Sequence, residues 1–195
     1  PLFRGRPLDR RTVSGVLTTM FGATDAEGAW DWRDAYDAIE AAMVLQVRRL
    51  GPQIARLEDA PAEIVTALAD LSELGLTHTR RSEDQLALDQ FSTPAPLAAL
   101  LVLAAQIRYG DRVLEPSAGV GMVGALAEAC AASLVLNELS DRRAGLLDGL
   151  FAGLFDDAEL LPPEASSLSD AVTAHLRHRR SGHGDLVGSL VCQAA

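Results

Sequence analysis

The residues with the plainest capacity for chemistry stand between positions 113 and 138. "VLEPSAGVGM" (113–122) runs on to Gly124 and contains a G-x-G-x-x-G at Gly119, Gly121 and Gly124. Glycines let a backbone approach a ligand closely, and a helix that follows them points its first amides at the same place. Alone the pattern is weak, because a tight turn in a sheet protein explains it nearly as well. Its context adds weight. The loop follows "RVLE" (112–115), which reads as a strand, and opens a helical stretch. Glu138 ends a second apolar run about 20 residues after the first glycine, where an acidic side chain accepts hydrogen bonds from ribose hydroxyls.

Three ligands meet that geometry: NAD, FAD and S-adenosylmethionine. Charge separates them. A dinucleotide brings a pyrophosphate to the loop, where Glu115 would oppose it. S-adenosylmethionine brings an ammonium and a sulfonium, so a carboxylate at the strand end is favourable. The spacer of Pro116, Ser117 and Ala118 also makes this turn longer than a dinucleotide loop, in which the strand runs almost directly into glycine. The expected ligand is S-adenosylmethionine, with a dinucleotide as the weaker alternative.

Other chemistries find little support. All 17 basic residues are arginine, so a P-loop lysine has no candidate. Cys130 and Cys192 form neither a disulfide framework nor a metal spacing, and Cys130 reads as a small buried apolar residue on a helix. His175, His178 and His183 cluster, but Arg177, Arg179 and Arg180 interleave with them and would repel a cation, so no metal site is expected. The net charge of −10 argues against a strong grip on nucleic acid by this chain alone. The basic clusters at the N-terminus, at 78–81 and at 175–180 read as solvated faces. "APLAALLVLAAQI" is the most apolar run and falls short of the roughly 18 to 20 residues that span a bilayer. With no secretory signal visible, no membrane is expected and cytoplasm is the default location.

The elements that must hold the glycine loop change character along the chain. Up to about residue 90 the pattern is helical. Val13, Val16, Leu17 and Met20 fall at helical spacing, with Asp9 as N-cap and Gly22 as stop. Asp31 caps the clearest helix, whose stripe is Trp32, Tyr36, Ile39, Met43, Val47 and Leu50, and Gly51-Pro52 is expected to end it. A third helix starts at Pro61 with Ile64, Val65, Leu68 and Leu71, and Ser82 with Gln85 suggests a short one. Thr93-Pro94 opens another through Leu97, Leu100, Leu101, Ala104 and Ile107. Strand and helix then alternate: strand 112–115, helix to about Ala131, strand 133–137, helix from Asp141 to about Leu154. That alternation predicts an α/β fold, a parallel sheet with flanking helices, preceded by an α-helical N-terminal region. After "DDAELLPPE" the signal fades.

"QFSTP" (90–94), "VLEPSAGVGM" (113–122) and "LVLNE" (134–138), in this order, resemble the N6-adenine DNA methyltransferases of the class I fold. The likeness is strongest to the methylase modules of proteins that also carry a strawberry-notch helicase region, in which a "W-D-W-x-D-A-Y" helix start precedes the methyltransferase domain. "WDWRDAY" (30–36) matches that start, so the resemblance covers roughly residues 28 to 165. It implies a partial Rossmann-like class I methyltransferase sheet, with a helical region at 1–88 and a truncated S-adenosylmethionine-binding domain at 89–195. It also implies roles. Phe91, Ser92 and Thr93 would lie against the methionine part of the cofactor, with the Thr93 hydroxyl near its carboxylate. Glu115 would sit near the ammonium, with Pro116, Ser117 and Ala118 leading into the floor shaped by Gly119 and Gly121. Glu138 would bind the ribose, Leu139 would pack on adenine, and Glu164 would reach the adenine amino group. The bland alternative for Phe91 and Leu139 is simple core.

Members of that family grip the target adenine with Asp, Asn or Ser followed by Pro-Pro and an aromatic residue, which stacks on the flipped base. The one Pro-Pro pair, Pro162-Pro163, lies between Leu161 and Glu164, and the one asparagine, Asn137, is in the second strand. Leucine cannot accept those bonds and glutamate cannot stack. The pair is also expected to come before a third strand could finish. No catalytic residue is therefore assigned. The chain reads as the cofactor-binding part of a methyltransferase whose family substrate is DNA. Self-association or a partner protein at an open sheet edge is the alternative use.

Overall fold

The computed structural model describes residues 7–55, 57–76, 92–151 and 159–160, the last pair by backbone alone. Phe91, Glu164, the Pro162-Pro163 pair, the helix expected from Ser82, the histidine cluster and Cys192 lie outside the described residues.

Helix α1 (Arg10–Phe21) begins where Asp9 accepts a hydrogen bond from the Thr12 amide at 2.7 Å and stops at Gly22, as the sequence predicts. Its packing is narrower than the expected stripe: Val13 and Leu17 are buried, while Val16 and Met20 face solvent. Helix α2 (Trp32–Arg49) starts on a reciprocal capping box, in which the Asp31 and Asp34 side chains accept each other's backbone N–H at 2.9 and 2.7 Å. Such a box satisfies two of the amides a helix start leaves without partners. Gly51-Pro52 does not simply end the chain's helical course. It opens the short α3 (Gly51–Ile54), because proline is tolerated in a helix's first turn, where its missing N–H costs nothing. Helix α4 (Pro61–Glu73) buries Leu68 and Leu71.

Helix α5 (Ala95–Ala104) turns a different face inward from the one expected. Ala95, Ala98, Ala99 and Val102 are buried, and Leu97 and Leu100 are exposed. Neighbouring helices pack against α5, and its small residues form the fully buried face of that contact. The helix also stops at Ala104, before Ile107, which is buried in the following turn.

Beyond it lie strand β1 (Arg112–Glu115), helix α6 (Met122–Ala129), strand β2 (Ser133–Leu136), helix α7 (Asp141–Phe151) and strand β3 (Glu159–Leu160). The strands form one parallel sheet in the order β1-β2-β3, with Glu115 beside Leu136 and Leu136 beside Leu160. This is the α/β arrangement expected, a partial Rossmann-like sheet preceded by helices. One expectation falls: a third strand pairs with β2 directly ahead of Pro162-Pro163, so the pair follows that strand rather than pre-empting it. A two-residue strand has too short a pattern to be legible.

The helical region and the sheet share one interior. Val44, Val47, Ile54, Leu57, Leu68 and Leu71 pack in the same cluster as Val113, Leu126, Leu134 and Leu136. A smaller cluster of Val13, Leu17, Trp30, Tyr36 and Ile39 seats α1 on α2. Arg48 of α2 reaches across to α6, where Nε and Nη2 donate to the two Glu128 carboxylate oxygens at 2.7 and 2.8 Å. The same guanidinium donates to the Leu150 carbonyl and lies over the Phe151 ring.

Candidate functional site

The carboxyl ends of β1 and β2 lie side by side, and the residues that follow each strand build the site. The β1 exit is held by Asn137, the residue directly after β2, to which the sequence pattern assigns no role. Its backbone N–H donates to the Glu115 carbonyl at 2.9 Å, and its carbonyl accepts from the Ala118 N–H at 2.8 Å. The buried Asn137 side chain donates to the Pro116 carbonyl at 2.9 Å. A short polar side chain that stitches two strand exits is a frequent structural device, but one asparagine in a sequence does not announce it.

Glu138 comes next, and both of its carboxylate oxygens accept backbone hydrogen bonds, from Gly119 and from Ser140, each at 2.8 Å. A carboxylate offers about four lone-pair positions, so two remain for hydroxyl donors. Leu139 is 47% exposed at the strand's end, which removes the reading of it as core. It presents an apolar surface beside Glu138 instead.

The glycines divide the work of the turn. Gly121 is in the left-handed region at φ 95, and a Cβ there would stand 2.4 Å from Cε2 of Phe151 and 2.9 Å from Cδ1 of Leu147. It is bare so that α7 can close on the turn. Gly119, at φ 58, would meet only Nη1 of Arg143, at 3.9 Å, so among the described residues its outer side is open.

Glu115 is 6% exposed. Burial pushes its carboxyl up to about 7, a rise that the Ser117 N–H only partly offsets. No ion pair to it occurs among the described residues. An acid held this way is a poor neighbour for phosphate and a ready one for a cation.

Ser92 is exposed and donates its hydroxyl to Glu40 of α2, and Thr93 is half-buried beside it. Ser92 therefore meets the N-terminal helical region. Pro116 and Ala118 are buried in the turn and Ser117 is exposed. The structure brings Glu115, the 116–121 turn, Glu138 and Leu139 together at the two strand ends, and it does not describe Phe91 or Glu164.

A second layer of charge, unread in the sequence, underlies this site. Arg143 of α7 pairs through Nη2 with Asp37 at 3.3 Å and Glu40 at 3.6 Å. Arg142 lies 2.9 Å from Asp34 and 3.1 Å from Asp37, near enough for ion pairs though poorly aligned for hydrogen bonds. Burial pushes Asp37 up against the opposing pull of Arg143 and Arg142. The signal was present: Asp34, Asp37 and Glu40 recur every three residues along one side of this amphipathic helix.

Among the described residues no His, Cys, Asp and Glu cluster suits a metal ion, and no helix is long and apolar enough to cross a membrane. No family model matches the sequence, and no curated protein matches it. Solved structures give partial likenesses. One is a protein described as an RNA methyltransferase from Pyrococcus horikoshii, 20% identical, with a TM-score of 0.40 over 53% of this chain and 50% of that one. Another is a protein-L-isoaspartate O-methyltransferase, 16% identical, with a TM-score of 0.36 over 58% of this chain and 41% of that one. The match thus spans half or less of each neighbour's length. The fold rests on this chain's own strand order and the site on its own geometry.

Proposed function

We propose that the chain binds S-adenosylmethionine across the carboxyl ends of β1 and β2, as the cofactor-binding part of an N6-adenine DNA methyltransferase-like protein. One observation carries the reading: a buried glutamate, Glu115, ends β1 with no cation paired to it among the described residues, beside a glycine turn tied by its Gly119 amide to Glu138. A pyrophosphate would enter next to that buried acid, whereas an ammonium would supply the charge it lacks. The two lone pairs of Glu138 left open among the described residues suit ribose hydroxyls, and exposed Leu139 suits the adenine face. The residues present thus fit the cofactor. When bound, it supplies a methyl group on a sulfonium, activated for attack by an amine.

The chain's own residues bind and orient; none is assigned to gripping a base. In these 195 residues no Asp, Asn or Ser precedes Pro-Pro with an aromatic residue after it. In-line attack depends on positioning the amine, so methyl transfer by this chain alone is not expected. Calorimetry with S-adenosylmethionine, its demethylated product and NAD tests the reading. Binding of the first two and not of NAD supports it. No binding of S-adenosylmethionine at millimolar concentration removes it, and tight NAD binding would favour a dinucleotide site.

A second reading, a docking module, is favoured by β1, whose far edge has no neighbouring strand among the described residues. Unpaired strand edges recruit partners. Sedimentation as a clean monomer at high concentration would count against self-association.

A further inference from the structure

The S-adenosylmethionine reading leaves one charge of the ligand without a counter-charge. Its amino-acid end is a zwitterion, and Glu115 answers only the ammonium. Arg143 meets the glycine turn where the second charge would fall. Among the described residues, and apart from the turn's own neighbouring residues, its Nη1 is the one heavy atom within 4 Å of the point a Cβ on Gly119 would occupy, at 3.9 Å. Its Nη2 is committed elsewhere, 3.3 Å from Asp37 and 3.6 Å from Glu40. A guanidinium is a rigid planar fork, so fixing one terminal nitrogen aims the other. With the residue 4% exposed, water competes little for that orientation. Glu40 also accepts from the Ser92 hydroxyl, so the same cluster reaches the segment before α5. Gly119 has no side chain to stand between Nη1 and whatever lies over the turn.

We propose that Arg143 is a specificity-determining residue that donates Nη1 to the ligand's carboxylate over Gly119. Resting on the cofactor reading above, this makes the site select a zwitterionic α-amino acid tail over a simple amine. Asp37 and Glu40 of α2 act as positioning residues, because they set the guanidinium plane.

The experiment is calorimetry on the full chain with S-adenosylmethionine and with decarboxylated S-adenosylmethionine, which keeps the sulfonium and amine but lacks the carboxylate. The unaltered chain is expected to prefer S-adenosylmethionine about tenfold or more, the range of one charge-assisted hydrogen bond. Arg143→Lys keeps a charge toward Asp37 and Glu40 but loses the fork, and it should bring that preference close to unity by weakening S-adenosylmethionine alone. Arg143→Met should do the same. Gly119→Ala, which places a methyl against Nη1 while leaving Arg143 itself unchanged, should also reduce the preference and keeps the test independent of whether Arg143 variants fold. Equal affinity of the unaltered chain for both ligands overturns the inference while leaving the cofactor reading in place. So does an Arg143 variant that weakens both ligands equally, the mark of a purely structural role. Failure of both ligands to bind removes the cofactor reading itself.

Discussion

The Glu138 carboxylate accepts a hydrogen bond from the Gly119 amide at 2.8 Å, so the residue that ends β2 also holds the glycine turn after β1. Glu138→Ala should therefore act twice, freeing the turn and deleting an acceptor for ribose. S-adenosylmethionine binding is expected to weaken by about 1 to 3 kcal/mol. Glu138→Gln, which keeps one acceptor oxygen, should lose less. Calorimetry on both variants checks the order; equal losses would show that the acceptor is not what matters.

Glu115 makes stability depend on pH. Its carboxyl lies at about 7 when folded against 4.5 for the free group, because burial disfavours the charged form. The folded chain thus holds a proton that the unfolded chain has released, and stability is full below about 4.5 and falls as pH rises through about 7. A shift of this size corresponds to about 3 kcal/mol. Urea unfolding midpoints should decline between pH 5 and 8, and Glu115→Gln should flatten that decline. An unchanged slope in the variant would assign the effect to another group.

Gly119 and Gly121 are expected to separate stability from binding. Gly121→Ala would push a methyl into Phe151 and Leu147, costing about 1 to 3 kcal/mol through overpacking with added left-handed strain of about 1 to 2 kcal/mol. Gly119→Ala carries only the strain, since its surroundings are open. Thermal denaturation should show the larger loss for Gly121→Ala, and ligand titration the larger proportionate loss for Gly119→Ala. Equal melting losses would contradict the division.

Arg48 and Glu128 join α2 to α6 by a two-pronged ion pair in which both side chains are mostly buried. Removing one partner strands the other, a loss of about 3 to 5 kcal/mol for a fully buried pair and less here because water reaches the edge. Glu128→Ala should lower the melting temperature markedly, and Arg48→Met with Glu128→Leu should recover much of it. A double variant as unstable as the single would show that Arg48 matters through Leu150 and Phe151 instead.

Much of the fold was legible because local chemistry and final structure agree. Asp9 and Asp31 start their helices through their side chains and Gly22 stops one through its left-handed backbone, and β1 and β2 are short runs centred on apolar residues that give way to Pro116 and Asn137. The inward face of α5 was not legible, because size suggested Leu97 and Leu100 whereas close helix packing selected Ala95, Ala98 and Ala99. In the site, the glycines and the two glutamates were visible as types at a spacing. Asn137 and Arg143 were not, because their roles depend on partners more than 20 residues away in sequence, Pro116 and Asp37.

The interior shared by α2, α3, α4 and the sheet bears on how such a chain can be inherited. Residues ahead of the glycine turn complete the oily centre on which the turn rests, so recombination could not exchange one half for a stranger's without leaving both halves wet inside. The helices and the strands are expected to travel through evolution as a single heritable block, and an attempt to express residues 92–195 alone should yield a sticky, protease-sensitive product rather than a smaller version of the same protein.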